Sequence, residues 1–400
     1  MLRWRRCAAF LFLPACFHPN YDHPACGTHR ECPSGFSCSA ALVCESDGGG
    51  DGGTIDAAPV CFGSIIKVCF SASAVPTMPR MLGSTDIDTD MTDSGSLCNQ
   101  DNDQKTNYCV VAGTNVTLMA GATLTAQGDK PLVLLSTTTM DLAGDIDVGS
   151  HHAGAQLRGA GANPIGGACS FVTAPTEAMM GGGGYGGSFG TKGGDGGNAG
   201  GQTTGRGAAG TRLDTFPMTL RGGCKGGDGS LLSVPDSAAA GGDGGGAIAM
   251  VAPMQILVDA KINASGGGGR GGAMNASNGG GGGGTGGMIV FDSAVTLAFG
   301  AKVKLWANGG SGGQGGSAAT GTDGGESSGP MQAASGGSGS GTGGAGGSGS
   351  VGSGPGTGGV SAAVDGGGGG GGGGAGFIHA PGFTDLASIS PPSSDPSPAP

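Results

Sequence analysis

Residues 246–269 read GAIAMVAPMQILVDAKINASGGGG, an alternating apolar segment that ends abruptly in glycine. Ile248, Met250 and Ala252 share one side of an extended chain. Beyond Pro253, the residues Ile256, Val258, Ala260, Ile262 and Ala264 fall on one face, and Gln255, Asp259, Lys261 and Asn263 on the other. Successive side chains of a strand point to opposite faces, so this is the period of a half-buried strand pair with a proline corner. An offset of forty-one residues finds GMIVFDSAVTLAFGAKVKLWANGG, with Ile289, Phe291 and Ser293 in the first run. Leu297, Phe299, Ala301, Val303 and Leu305 follow in the second run, which sets Lys302 on Lys261.

Further copies lie on either side. PLVLLSTTTMDLAGDIDVGS places Leu132 and Leu134 in a first strand and Met140, Leu142, Gly144, Ile146 and Val148 in a second. NVTLMAGATLTAQG matches the second half alone, through Val116, Leu118, Ala122 and Leu124, and GFIHAPGFTDLASIS (376–390) is a degenerate last copy. One such unit cannot bury its apolar side, whereas stacked units cover one another. The expected fold is therefore all-β, a right-handed β-solenoid of the parallel β-helix kind with long glycine-rich loops, preceded by a small disulfide-rich module. The alternative is a β-sandwich of antiparallel hairpins, which favour Asn-Gly or Asp-Gly turns; the corners here are Ala-Pro-Met and Ser-Ala-Val. No window carries apolar residues at three-four spacing with caps, so helix is not expected.

Composition agrees with a slender body. Glycine supplies 96 of 400 residues, far above the usual share of roughly 7%. Aromatics are 4%, so the core must be aliphatic. The net charge of −11, with no basic run after residue 6, argues against nucleic acid, because phosphate binding needs a basic surface.

The N-terminus, MLRWRRCAAFLFLPAC, has three arginines followed by an apolar stretch too short to span a bilayer. It reads as a signal peptide over 1–15. Leu13-Pro14-Ala15-Cys16 resembles a bacterial lipobox, which makes Cys16 the expected lipidation site and the N-terminal anchor to membrane. Cys26, Cys32, Cys38 and Cys44 recur at intervals of six, a disulfide knot in an exported chain. The rival reading is zinc, through Cys26-x-x-His29-x-x-Cys32 with His18 and His23 nearby. Cys61, Cys69, Cys98, Cys109, Cys169 and Cys224 complete the disulfide candidates, with nearest-neighbour pairing the simplest assignment.

The segments follow in order: the signal peptide 1–15, the anchor and cysteine knot 16–45, and a Gly/Asp linker 46–58. The solenoid spans 59–310 with glycine-rich insertions at about 181–246 and 266–287. A Gly/Ser low-complexity stretch 311–376 reads as linker, 377–390 holds the final strands, and 391–400 is a disordered proline-rich tail. Glycine loses the most backbone entropy on ordering, so the glycine tracts should be flexible unless they pack as polyproline-II-like rods.

Chemical signals are sparse. Asp86, Asp88, Asp90 and Asp93 crowd one loop, but an EF-hand needs Gly and Glu where Met91 and Leu97 stand, so calcium is a weak candidate and no other cofactor is indicated. GGDGGN (193–198) and GGDGS (226–230) are incomplete calcium-binding nonapeptides, and GGSFG (186–190) and GGSGG (309–313) match a nucleophile elbow only through composition. His151-His152 reads as a polar loop. Asp141, Asp145 and Asp147 form an outward acidic stripe that later copies do not continue, so no catalytic residue is assigned and an enzyme is not expected.

The lipobox, the cysteine knot, the FGTKGGDGGN and LRGGCKGGDG blocks and the strand copies together resemble glycine-rich, adhesin-like surface lipoproteins of Gram-negative soil bacteria. That resemblance implies a non-catalytic component of the outer membrane or cell surface, attached to extracellular matrix or polysaccharide; an unused lipobox would make it secreted. The alternatives are a carbohydrate-binding or glycan-processing β-helix, with Trp306, Tyr185 and Phe189 as the few aromatic candidates, and an ice- or mineral-binding protein.

Overall fold

The computed structural model describes residues 58–394 except 94, 152–157, 165–168, 170–175, 214, 232–237 and 275–276, together with 26, 32, 36–38 and 44–46. The chain divides into a unit of residues 1–57 and a unit of residues 58–400. In the first, β1 (Phe36–Cys38) and β2 (Cys44–Ser46) pair antiparallel and are stapled by Cys26–Cys38 and Cys32–Cys44 disulfides. The signal segment, Cys16 and the linker residues 47–57 lie outside the described residues.

The second unit begins with an antiparallel ribbon, β3 (Val60–Phe62) and β4 (Val68–Phe70), closed by the Cys61–Cys69 disulfide. Coils of the chain then stack in parallel register. They are β5 (Arg80–Leu82) with β6 (Thr85–Asp88), β7 (Cys109–Leu118) with β8 (Thr123–Gln127), and β9 (Leu132–Leu142) with β10 (Asp145–Asp147). Next come β11 (Ala247–Ala252), β12 (Gln255–Val258) and β13 (Lys261–Asn263), then β14 (Met288–Ser293), β15 (Thr296–Phe299) and β16 (Lys304–Trp306). The last coil is β17 (Phe377–His379) and β18 (Ile389–Ser390). The described residues contain no helix. Every strand pairing between coils among the described residues is parallel, which overturns the hairpin-built sandwich as the alternative.

The register makes the core a set of ladders. Cys109, Leu132, Ile248, Ile289 and Ile378 stand opposite one another in successive coils of the larger sheet. Leu124, Ile146, Ile262, Leu305 and Ile389 do the same in the smaller one, and all ten residues are buried. Three details depart from the sequence reading. Two coils were missed in whole or part: β5–β6, where only Leu82 and Ile87 face inward, and the first half of β7. The offset from β13 to β16 is forty-three rather than forty-one, since Ile262 faces Leu305 and Lys261 faces Lys304, so Lys302 is not the counterpart of Lys261. The extra residues sit in the turn at 300–303, where Gly300 N–H donates to the Val258 carbonyl at 2.7 Å and Val303 still packs inward.

The third departure concerns the far face of the larger sheet. Ala247, Ala249, Val251, Met288 and Val290 point away from the first core yet are buried, in a second apolar cluster with Ile66, Val68 and Phe70 of the ribbon and Phe189, Phe216 and Phe377. A parallel sheet is normally covered on both faces, and here an N-terminal strap and a glycine-rich excursion supply the cover.

The glycine tracts are not loops. Residues 366–374, nine consecutive glycines, form a rod at the centre of a bundle. Gly368, Gly371 and Gly374 donate to the carbonyls of Gly181, Gly184 and Gly187; Gly367, Gly370 and Gly373 donate to Gly316, Gly313 and Gly310; Gly369 and Gly372 donate to Val360 and Thr357. The same rod accepts from 194, 197 and 200, from 280, 283 and 286, and from 344, 347 and 350, all at 2.8–3.0 Å. Donors rotate through three directions with a period of three, as the three residues per turn of a polyproline-II helix require. Six tracts thus surround one, three running with it and three against it. The expectation of a linker over 311–376, and of loops at 181–246 and 266–287, is corrected by these bonds: a peptide group satisfied by its neighbours needs no water. The first tail residues also fold back, with Ser394 N–H donating to the Ile378 carbonyl at 2.8 Å, while 395–400 lie outside the described residues.

Candidate functional site

Ten of the twelve cysteines form five disulfides, the remaining three being Cys61–Cys69, Cys98–Cys109 and Cys169–Cys224. Cys26, Cys32 and Cys44 lie close enough to share an ion, but their sulfurs are spent on one another and on Cys38, which leaves no thiolate for zinc. His29 and His152 lie outside the described residues.

The four aspartates proposed for calcium do not converge, each facing a different donor. Asp86 accepts from the Thr125 hydroxyl, Asp88 from the Asp90 N–H at 3.0 Å, Asp90 from the Asp129 N–H at 2.9 Å, and Asp93 from the Gly95 N–H at 3.0 Å. In the glycine blocks, Asp195 lies beside Arg206 at 3.6 Å and accepts the Ala209 N–H, while Asp228 pairs with Lys225 at 2.8 Å. The elbow serines are structural: Ser188 donates to the Gly210 carbonyl at 2.8 Å, and Ser311 to the Ser335 carbonyl at 2.6 Å. The aromatic candidates form no platform for a sugar, because Phe189 is fully buried, Trp306 nearly so, and Tyr185 sits apart at a rod edge.

The structure does assemble one polar cluster. The outward row of the smaller sheet runs Asp86, Thr125, Asp147, Asn263, Trp306 across five neighbouring strands. Past the end of β10, His151 lies between Asp147 (Nε2 to Oδ1, 3.2 Å) and Glu326 (Nδ1 to Oε2, 2.8 Å). Asp147 Oδ1 also accepts the Gly149 N–H at 2.9 Å and the Asn263 side-chain amide at 3.0 Å. A cleft of about 260 Å³ opens here, lined by Asp86, Thr125, Asp147, His151 and Arg158. Hydrogen bonds that the imidazolium donates to Asp147 and Glu326, with the charges of those carboxylates behind them, push its pKa to about 10. An imidazolium with both N–H groups engaged is neither a general base nor a metal ligand. Its work is to tie the Gly/Ser segment carrying Glu326 to the β-coil.

Sequence reasoning missed this cluster because Glu326 lies 175 residues from His151 in an unpatterned segment. The sign of its pH dependence follows from the raised pKa. The unfolded imidazole titrates near 6.5, so the clamp contributes fully below that pH and fades as pH rises through about 10. The melting-temperature gap between wild type and His151→Gln should therefore be widest at pH 6 and close by about pH 10. A gap independent of pH would leave the clamp without a role.

No protein-family model, curated protein or solved structure matches this chain.

Proposed function

We propose that this protein is a non-catalytic component of the cell envelope, exported, anchored by lipid on Cys16 and displayed at the surface as a structural or adhesive body. In this reading the β-coil is a right-handed solenoid, and the glycine bundle is the rigid element it carries outward toward matrix or polysaccharide. The observation that supports it most is the pattern of exposure along residues 193–198: two buried glycines, then an accessible Asp195, two more, then an accessible Asn198. Two of every three positions hold rods together and the third is free to vary, which suits a scaffold that presents side chains at fixed spacing. The polar groups that resemble catalytic sets are consumed in internal bonds, as His151 and Ser188 illustrate.

The anchor is tested by palmitate labelling and cell fractionation. Wild type should incorporate label and sediment with outer membrane, whereas Cys16→Ser should lose the label and appear in a soluble fraction. Retention of both label and membrane association in Cys16→Ser would overturn the anchor. Failure of a surface-applied protease to reach the wild-type chain would overturn display.

A further inference from the structure

Arg221 is a buried cation without a counter-ion. Only 9% of it is exposed, and no carboxylate among the described residues pairs with it. Its guanidinium carbon lies 4.5 Å from the centroid of the Phe189 ring, and Nη2 reaches the sulfurs of Cys224 at 3.2 Å and Cys169 at 3.5 Å. Disulfide sulfur is a weak acceptor, and Nε has no hydrogen-bond partner among the described residues. An aromatic face helps a cation but does not neutralise it. Buried charges are ordinarily paired or hydrogen-bonded, since desolvation costs several kcal/mol per ion. Burial alone pulls the guanidinium down to about 10, which reports the same missing anion.

Arg221 is one of the residues lining a cavity of about 820 Å³, within the size range that holds small ligands. The other charged groups on this wall are committed elsewhere or share its sign. Asp129 pairs with Arg158, and both oxygens of Asp90 accept the Asp129 N–H. Lys130 adds a second cation, its Nζ donating to the Lys105 carbonyl at 3.1 Å. Tyr108, whose phenol burial keeps protonated, and the accessible Thr106 and Thr219 add hydroxyl groups. The Cys169–Cys224 bridge and Phe189 hold the guanidinium in place before any ligand arrives, so little ordering cost remains at binding.

We infer that the cavity beside Arg221 binds an oxyanion, and that its hydroxyl-lined walls suit the carboxylate of an acidic sugar as the organic source of that charge. Free sulfate or phosphate offers the same chemistry from an inorganic source. The inference rests on no assumption about the anchor, because its test reads binding in solution.

Calorimetric titrations of the full chain carrying Cys16→Ser at low ionic strength would use digalacturonate, a neutral disaccharide, sodium sulfate and sodium phosphate. Saturable binding of the uronide, absent with the neutral sugar and weakened at least tenfold in Arg221→Gln, is the expected result. Binding of sulfate or phosphate but not the uronide would support the oxyanion site and assign its source as inorganic. Since Arg221→Gln could disturb the disulfide packing, Thr219→Glu supplies a second variant. It places an acid on the exposed wall without touching Arg221, and should also weaken binding at least tenfold at an unchanged melting temperature. Silence with every anion, equal binding of the neutral sugar, or anion binding that Thr219→Glu leaves unchanged would each overturn the inference.

Discussion

Gly370→Ala should unfold this protein at markedly lower denaturant than wild type, although it adds one methyl group to a glycine tract. Gly370 donates to the Gly313 carbonyl at 2.9 Å and accepts from Gly347 at 2.8 Å, and a Cβ built on it would overlap the carbonyl of Gly281. The obstruction is backbone on a rod bonded to others, so no side chain can swing aside. Overpacking a close-packed interior costs about 1–3 kcal/mol, and displacing the rod forfeits backbone hydrogen bonds worth about 0.5–1.5 kcal/mol each. A loss of about 2–4 kcal/mol is expected. Gly354→Ala is the matched control, since the nearest atom to its added Cβ, the Val351 carbonyl oxygen, stands 3.7 Å away. That change should be neutral or gain about 0.4–1 kcal/mol by restricting the unfolded chain. Equal midpoints for the two variants would mean that the tracts are not packed as rods.

Every position along the central tract makes the same demand. A Cβ at 367, 370 or 373 meets the carbonyls of 278, 281 and 284; at 368, 371 or 374 it meets those of 197, 194 and 191; at 369 or 372 it meets 345 and 348. A rod enclosed on all sides must be glycine throughout, while one at the surface needs it at two positions in three. The run of nine glycines and the GGx blocks are thus one packing rule seen from the centre and from the edge. Composition alone reads both as flexible, because the bonds that order them join separate tracts, two of which, 181–187 and 194–200, lie more than a hundred residues from the central one.

The β-coil was legible where two conditions met, clean alternation and an undisturbed offset. Ile248, Met250 and Ile256 satisfy both, and their partners Ile289, Phe291 and Leu297 are where the forty-one-residue shift places them. The shift fails at Ile262 because the turn at 300–303 is two residues longer, a change that preserves the pleat and so leaves the inward set intact. β5 and β6 were illegible, since one inward residue each is no pattern. Ala247-Ile248-Ala249-Met250-Val251-Ala252 is apolar on both faces, and that absence of polar alternates marks a strand covered twice. What no local pattern carries is the identity of the cover, or the distant partners of His151 and Arg221.

The cover is where the second large effect is expected. Asp292 takes the outward position on β14 after Met288 and Val290, and is only 6% exposed. Its Oδ2 accepts the N–H groups of Ser64 at 2.7 Å, Ile65 at 2.7 Å and Ile66 at 3.2 Å, and Oδ1 accepts the Ser64 hydroxyl at 2.8 Å. A single carboxylate therefore holds the turn of the strap, where Gly63 adopts a φ of +87° that a side chain would strain. Asp292→Ala removes the shared acceptor of the half-buried turn, leaving the N–H of buried Ile66 and, in part, the donors of Ser64 and Ile65 without a partner, at about 1–3 kcal/mol for each group that stays buried. A loss of about 3–5 kcal/mol is expected, with Asp292→Asn intermediate because it keeps one acceptor oxygen. Hydrogen exchange separates this effect from a general weakening: the amides of Ser64, Ile65 and Ile66 should lose protection first, while those of Ile248 and Ile289 in the coil keep theirs. If the three amides stay as protected in Asp292→Ala as in wild type, the strap is held by Ile66, Val68 and Phe70 alone, and the carboxylate has no part in covering the sheet.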